Sequence, residues 1–218
     1  MTRLATAAVL AAALSLCACS PLMQASWDTL RAAASGPKAV TLDPERVDAR
    51  PYYQLRVQTH DGDAVLALVR LQGDLQYWLA PSQQVLVLRD GLVVRTSGFA
   101  DNLAGTRLGD GSPFRTGLHK LADEHTSERW LDLDGYRLGV PLRSRWRRVG
   151  LERVSILGRD HQLLRVDEDI SAPLLGLSAT NRYWVDPADG FVMRSLQQLT
   201  PTLQVVITQL RPYRETAR

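Results

Sequence analysis

Alternation of apolar and polar positions starts at Tyr53-Gln54-Leu55-Arg56-Val57 and governs the chain from there to its end. Period two is the side-chain repeat of a strand with one buried face. Asp61-Gly62-Asp63 predicts a turn. Ala64 to Leu71 is a nearly continuous apolar run, which predicts a strand covered on both faces. Gln72-Gly73-Asp74 turns the chain back into Leu75 to Leu79. Asp90-Gly91 separates Val85-Leu86-Val87-Leu88 from Leu92-Val93-Val94-Arg95-Thr96. An Asp-Gly pair between apolar runs is a strong two-residue hairpin signal, because both central positions need positive φ. Between residues 97 and 128 the pattern is broken by Gly98, Gly105, Gly109, Gly111 and Pro113, which predicts a long functional loop or a cap over an opening, with a short helix around 117–123. The grammar then resumes. Trp130 to Leu133 and Tyr136 to Val140 flank Asp134-Gly135, Arg143 to Leu157 alternates at length, and Gly158-Arg159-Asp160 turns it into His161 to Val166. Thr180 to Val185 and Phe191 to Leu199 flank Pro187 to Gly190, and Leu203 to Leu210 is the last strand. The fold class is therefore mainly β: an antiparallel barrel-like or strongly curled sheet of about ten to twelve strands at spacings of roughly 8–12 residues. Closure would remove exposed edges.

The first fifty residues follow a different pattern. Arg3 is the only charge before Asp28, and Leu4 to Leu16 are apolar or small. The run is too short to span about 30 Å of hydrocarbon and reads as a signal peptide over 1–18. Leu16-Cys17-Ala18-Cys19 resembles the bacterial lipobox, with small Ala18 before the cut and Cys19 as the acylated first residue of the mature chain. Cys17 is the poorer candidate because bulky Leu16 would precede the cut. Stable anchoring takes two signals, which the several acyl chains of a bacterial lipoprotein provide. Pro21 in place of an aspartate after the cysteine favours the outer membrane, with the body facing the periplasm. Residues 19–25 form a lipidated tether and 26–218 one domain. Ser26 as N-cap, Asp28 in the first turn and Gly36-Pro37 as a stop predict a helix near 26–34, with Trp27, Leu30 and Ala34 on one face. Pro44 and Pro51 predict an extended passage into the body.

The chain has 218 residues and a formal charge of +3, of which Arg3 contributes one, so there is no footprint for nucleic acid. Both cysteines lie in the leader region, so no disulfide, thiolate nucleophile or cysteine metal ligand is expected in the body. The four histidines, His60, His119, His125 and His161, have no metal spacing, and no G-x-S-x-G elbow occurs. His119 and His125 flank Asp123-Glu124, which reads as a solvated loop rather than a ligand set. Asp132-Leu133-Asp134-Gly135 starts like a calcium loop without its later ligands and reads as a hairpin. Asp167-Glu168-Asp169 places two carboxylates on one strand face and Glu168 on the other; the cluster reads as a solvated strand end, with an internal salt bridge from Glu168 to an arginine as the milder alternative. No catalytic, metal or cofactor residue is assigned.

Arg143-Ser144-Arg145-Trp146-Arg147-Arg148 is the most suggestive segment. On a strand, Arg143, Arg145 and Arg147 share one face at about 7 Å spacing, with Trp146 on the other. Such a row could contact an acidic polymer or phospholipid headgroups, or could simply be a charged outer face. Of the five tryptophans, Trp78 and Trp184 sit in apolar runs and are expected to fill the core.

Asp90 to Phe99 followed by Asp101-Asn102-Leu103, and Asn181 to Asp186 followed by Gly190-Phe191-Val192 and Arg194 to Pro201, resemble the two signatures of the YjbF/GfcB lipoprotein family. Trp27, the Gly36-Pro37 pair and the lipobox are similar to it as well, whereas 105–130 matches least. The resemblance implies a mainly antiparallel barrel-like domain on an outer-membrane lipid anchor. It also implies a role beside capsule or exopolysaccharide operons, acting by contact with polymer or secretion-machinery proteins rather than by catalysis. The alternative is a LolA/LolB-like carrier of an apolar ligand, which requires an unfilled lumen lined by leucine and valine. A polysaccharide hydrolase is the weaker alternative and requires two facing carboxylates in a cleft.

Overall fold

The structure is a computed structural model and describes residues 42–214. The predicted leader, Cys19, the tether and the helix near 26–34 lie outside the described residues. The described chain opens with a short helix, α1 (Pro44–Asp48), where an extended passage was expected. The local reason is legible: Asp43 caps the helix, its carboxylate accepting from the Glu45 amide at 3.0 Å, and Pro44 supplies the fixed φ of a first helical position.

Twelve strands follow: β1 (Gln54–Gln58), β2 (Asp63–Gln72), β3 (Leu75–Leu79), β4 (Val85–Arg89), β5 (Leu92–Ser97), β6 (Leu103–Leu108), β7 (Glu124–Leu133), β8 (Arg137–Ile156), β9 (Arg159–Ala172), β10 (Leu177–Val185), β11 (Val192–Gln198) and β12 (Gln204–Arg211). They form one sheet in which every consecutive pair is antiparallel except β5 and β6, and β12 returns to pair with β1. The result is an up-and-down barrel with one seam. At that seam side chains replace the ladder. Thr96 Oγ1 accepts from the Leu103 amide at 2.9 Å, and Arg95 Nε donates to the Ala104 carbonyl at 3.0 Å. The free strand edges thus face each other instead of solvent, which removes a template for aggregation.

The interior is filled. One cluster gathers Leu55, Leu66, Trp78, Leu131, Leu142 and Ile207; a second gathers Trp146, Leu164, Val166, Tyr183 and Val185. The β4–β5 hairpin lies between them. Leu86, Leu88 and Val93 belong to the first cluster and Val87, Leu92 and Val94 to the second, so these strands are buried on both faces. The doubly covered strand expected at 64–71 is thus elsewhere. β2 is largely half-exposed, with Val69 57% exposed, because nothing among the described residues covers that part of its outer face. The Asp90-Gly91 turn has φ of 51° and 84°, as the two-residue hairpin demands. A Cβ on Gly91 would lie 2.3 Å from a Val192 methyl, so glycine also permits the close approach of this turn to β11. Gln197, fully buried on β11, reaches across: its Oε1 accepts from the Val93 amide at 3.0 Å and its Nε2 donates to the Gly91 carbonyl at 2.9 Å.

Of the 97–128 stretch expected to be irregular, 103–108 and 124–128 are strand, and only 109–123 forms a loop that folds over the barrel end. Phe114, Leu118 and Leu121 turn inward onto the second cluster, and Phe114 meets the rings of Trp146 and Tyr183 edge-on at 5.5 and 5.3 Å. Its helical content is one 3-10 turn, Leu118–Lys120, instead of a helix over 117–123. Two turns are displaced by a residue or two. The β7–β8 turn takes positive φ at Gly135 and Tyr136, and the β8–β9 turn at Leu157 and Gly158, leaving Arg159 and Asp160 in the strand.

Candidate functional site

The site is built on β7 to β10. Along β8 the sequence Arg143-Ser144-Arg145-Trp146-Arg147 alternates exposed, buried, exposed, buried, exposed. Inward, Ser144 joins a buried polar network centred on Glu168. Glu168 of β9, with no exposed surface, forms an ion pair with Arg129 of β7. The Glu168 carboxylate also accepts from Ser144 Oγ at 2.6 Å, Asn181 Nδ2 at 2.8 Å and the Tyr183 hydroxyl at 3.0 Å. The internal salt bridge, the milder alternative for Glu168, is thus the one that forms. Burial works against the Arg129 charge, but the Glu168 carboxylate outweighs it and the guanidinium pKa is raised. Burial, then the Glu168 charge, pushes the Tyr183 hydroxyl well above the ordinary phenol range, so it remains a donor.

Each residue of this network lies beside residues that face outward. Ser144 separates Arg143 from Arg145, Arg129 separates Glu128 from Trp130, and Glu168 separates Asp167 from Asp169. Of those outward neighbours, Glu128, Trp130, Arg143, Arg145 and Asp169 line a groove of about 830 Å³ that runs over β7–β10 and is rimmed by Gly109-Asp110-Gly111. Half-buried Trp130 forms its apolar floor, with the Arg107 guanidinium 5.2 Å from the ring centroid. Hydroxyls of Thr126, Ser171 and Ser178 line the same space.

The three arginines share one face, as the alternation predicts, but their electrostatics differ. Arg143 pairs with Glu128 at 3.1 Å, and Arg147 with Asp167 at 3.4 Å. Arg145, between them, lines the groove and forms no salt bridge among the described residues. Asp167 departs from the solvated strand end expected of it. It is buried on the outer face beneath Arg165, which contacts it at 2.7 Å and Glu152 at 2.9 Å. Two hydrogen-bonded carboxylates raise the Arg165 pKa. Trp184 also departs from expectation. It sits on the outer face, half-buried beside Val154, Ile156, Leu163 and Met193, and its Nε1 donates to Glu152 at 2.8 Å. The cause is the β8–β9 hairpin, which gives the outer face a small core of its own.

The remaining sequence candidates take structural roles. His125 Nε2 lies 2.7 Å from the Gly111 carbonyl, and His119 packs against Gly190. Among the described residues no three histidine, cysteine or acidic side chains gather as a metal would require. Asp132 accepts from the Gly139 amide at 2.7 Å inside the β7–β8 hairpin. Asp169, the carboxylate on the groove, accepts from Thr180 Oγ1 at 2.6 Å. The space left inside the barrel between β5, β7 and β11 amounts to about 10 Å³, at the lower limit for one water.

The molecule is thus a filled, nearly closed up-and-down β-barrel with an aromatic-floored groove of mixed charge on its outer face, lined by Arg143 and Arg145 and by Asp110, Glu128 and Asp169. The chain belongs to the family described as group 4 capsule polysaccharide lipoprotein GfcB, YjbF, which matches residues 27–210. It is 25% identical over 203 residues to the uncharacterized lipoprotein GfcB of Escherichia coli (strain K12), covering 92% of this chain and 95% of that protein. The crystal structure of the hypothetical lipoprotein YmcC from Escherichia coli (K12) has the same fold, with a TM-score of 0.71 at 23% identity over 79% of this chain and 90% of that one.

Proposed function

We propose that this protein is an outer-membrane-anchored lipoprotein that assists capsule or exopolysaccharide assembly or secretion from the periplasmic side, by holding polymer rather than by turning it over. Cys19 carries the acyl anchor. The polymer lies along the groove over β7–β10. The observation that carries this reading is Arg145, a cation that forms no salt bridge among the described residues, set beside an aromatic floor and hydroxyls. That combination suits an acidic sugar chain: guanidinium for a carboxylate or phosphate, indole for the apolar face of a pyranose, and hydroxyls for exchangeable hydrogen bonds. Arg143, paired with Glu128, lines the groove beside Arg145, and Arg147, paired with Asp167, lies further along the same face of β8. A filled interior supports a surface-binding role over a carrier with a lumen. The test is polymer output from a deletion strain complemented with wild type, Arg145→Ala or Cys19→Ser. Deletion is expected to lower polymer, and neither variant is expected to restore it fully. Polymer unchanged on deletion would remove the reading.

A further inference from the structure

The barrel end that carries the 109–123 cap holds a second pocket, of about 610 Å³, between the β2–β3, β4–β5 and β10–β11 turns and residues 114–120. That size is within the roughly 300–1,000 Å³ of small-molecule sites. Two buried polar atoms at this pocket have no hydrogen-bond partner. One is Oε1 of Gln209, a residue only 5% exposed that follows Val205 and Ile207 along the inward-facing positions of β12. The other is Nδ1 of His119. The His119 ring is held by backbone on two sides: a Cβ on Gly190 would lie 2.1 Å from Nδ1, and one on Gly117 2.7 Å from Cε1. Both glycines have positive φ, 80° and 93°, so the slot is fixed by conformation as well as by space.

A buried acceptor without a donor costs about 1–3 kcal/mol, and native structures keep few of them. Gln209 Oε1 is such an acceptor, and a bound polar partner is the usual remedy, whereas His119 Nδ1 is turned against the Gly190 and Gly117 backbone. The charges around the pocket indicate its class. Asp74 is engaged by Arg89 at 2.7 Å and Asp189 by Arg214 at 2.5 Å. Arg115 and Lys120 line the same pocket and form no salt bridge among the described residues. Tyr213 adds an aromatic wall.

We infer that this pocket binds a single hydroxylated, carboxylate-bearing sugar residue of the uronic-acid type. One of its hydroxyls donates to Gln209, and its carboxylate is met by Arg115 and Lys120. The choice of a sugar among hydroxylated anions rests on the capsule reading above, but the site is separate from the outer groove.

The test is calorimetric titration of methyl β-D-glucuronide into the full chain, with uncharged methyl β-D-glucoside as control. Saturable binding of the glucuronide is expected, with the glucoside weaker. Affinity should fall about tenfold in Gln209→Leu and in Lys120→Ala, the loss of one good hydrogen bond or contact, and stay unchanged in Arg145→Ala. Gln209→Leu should keep or raise the thermal midpoint, since it removes an unpartnered carbonyl. Exposed Lys120→Ala keeps the test valid if the leucine misfits. No saturable binding to wild type, or affinity unchanged from wild type in both pocket variants, overturns the site. Loss in Arg145→Ala alone would place the sugar in the outer groove, overturning this inference while leaving the proposed function standing.

Discussion

On the inner face of β7–β10, Arg129 and Glu168 are paired, and the carboxylate accepts three further hydrogen bonds. One residue away on the outer face, Arg145 stands opposite Asp169 and forms no salt bridge among the described residues. The same strands therefore carry a charge that is fully answered and one that is not. The difference follows from solvation. An unpaired charge in the interior would cost several kcal/mol, so it is tolerated there only inside a complete network, whereas an outward guanidinium is satisfied by water until a ligand displaces it. The inner network fixes the spacing of four strands, and the outward residues inherit that spacing. On the proposed function, stability belongs to one face and recognition to the other.

Substitutions should separate the two faces. Glu168→Gln should cost the most, roughly 3–5 kcal/mol in urea unfolding, because it strands Arg129 in the interior. A cost below about 1 kcal/mol would mean that the network is dispensable. Gln197→Leu comes next, at about 1–3 kcal/mol, because the Val93 amide and the Gly91 carbonyl lose their partner across the barrel. Its hydrogen exchange should rise at Val93 in particular.

Trp184→Phe is smaller and depends on pH. The Trp184 indole donor, then the Arg165 guanidinium, hold the Glu152 carboxyl below its ordinary value against an opposing burial effect. A depressed carboxyl stabilises the fold above its unfolded pKa of about 4.3, and that contribution is lost as pH falls through the folded value. The gap between wild type and Trp184→Phe should therefore be widest near pH 7, below about 1.5 kcal/mol, and narrow toward pH 3. A gap that grows in acid would contradict the assignment. Arg145→Ala should leave stability within about 0.5 kcal/mol.

The features legible in the sequence are those set locally. Asp90-Gly91 announces its turn because only a few residue types accept positive φ at both positions. Arg143 to Arg147 display their faces because period two is geometric. Glu168 announces itself as an inward carboxylate for the same reason. Asp43-Pro44-Glu45 carried a helix start that the two prolines obscured. What periodicity does not encode is which strand another part of the chain will cover. The burial of Val87 and Val94 depends on residues 112–121 folding back over them, and the outward place of Trp184 on a hairpin core it shares with Met193. Gln197 reads as an ordinary polar strand residue because its partners, Gly91 and Val93, are remote in sequence. The split between Arg145 and its paired neighbours needed the positions of Glu128 and Asp167.

The most direct measurement is the affinity of an acidic polysaccharide for the full chain and for Arg145→Ala, at low and raised salt, on samples shown by thermal unfolding to be equally folded. Wild type should bind in a salt-sensitive way, and Arg145→Ala should bind at least about tenfold more weakly at low salt with much of the salt dependence gone. Equal affinity in the two proteins, or no binding by wild type, would contradict the groove as the seat of function.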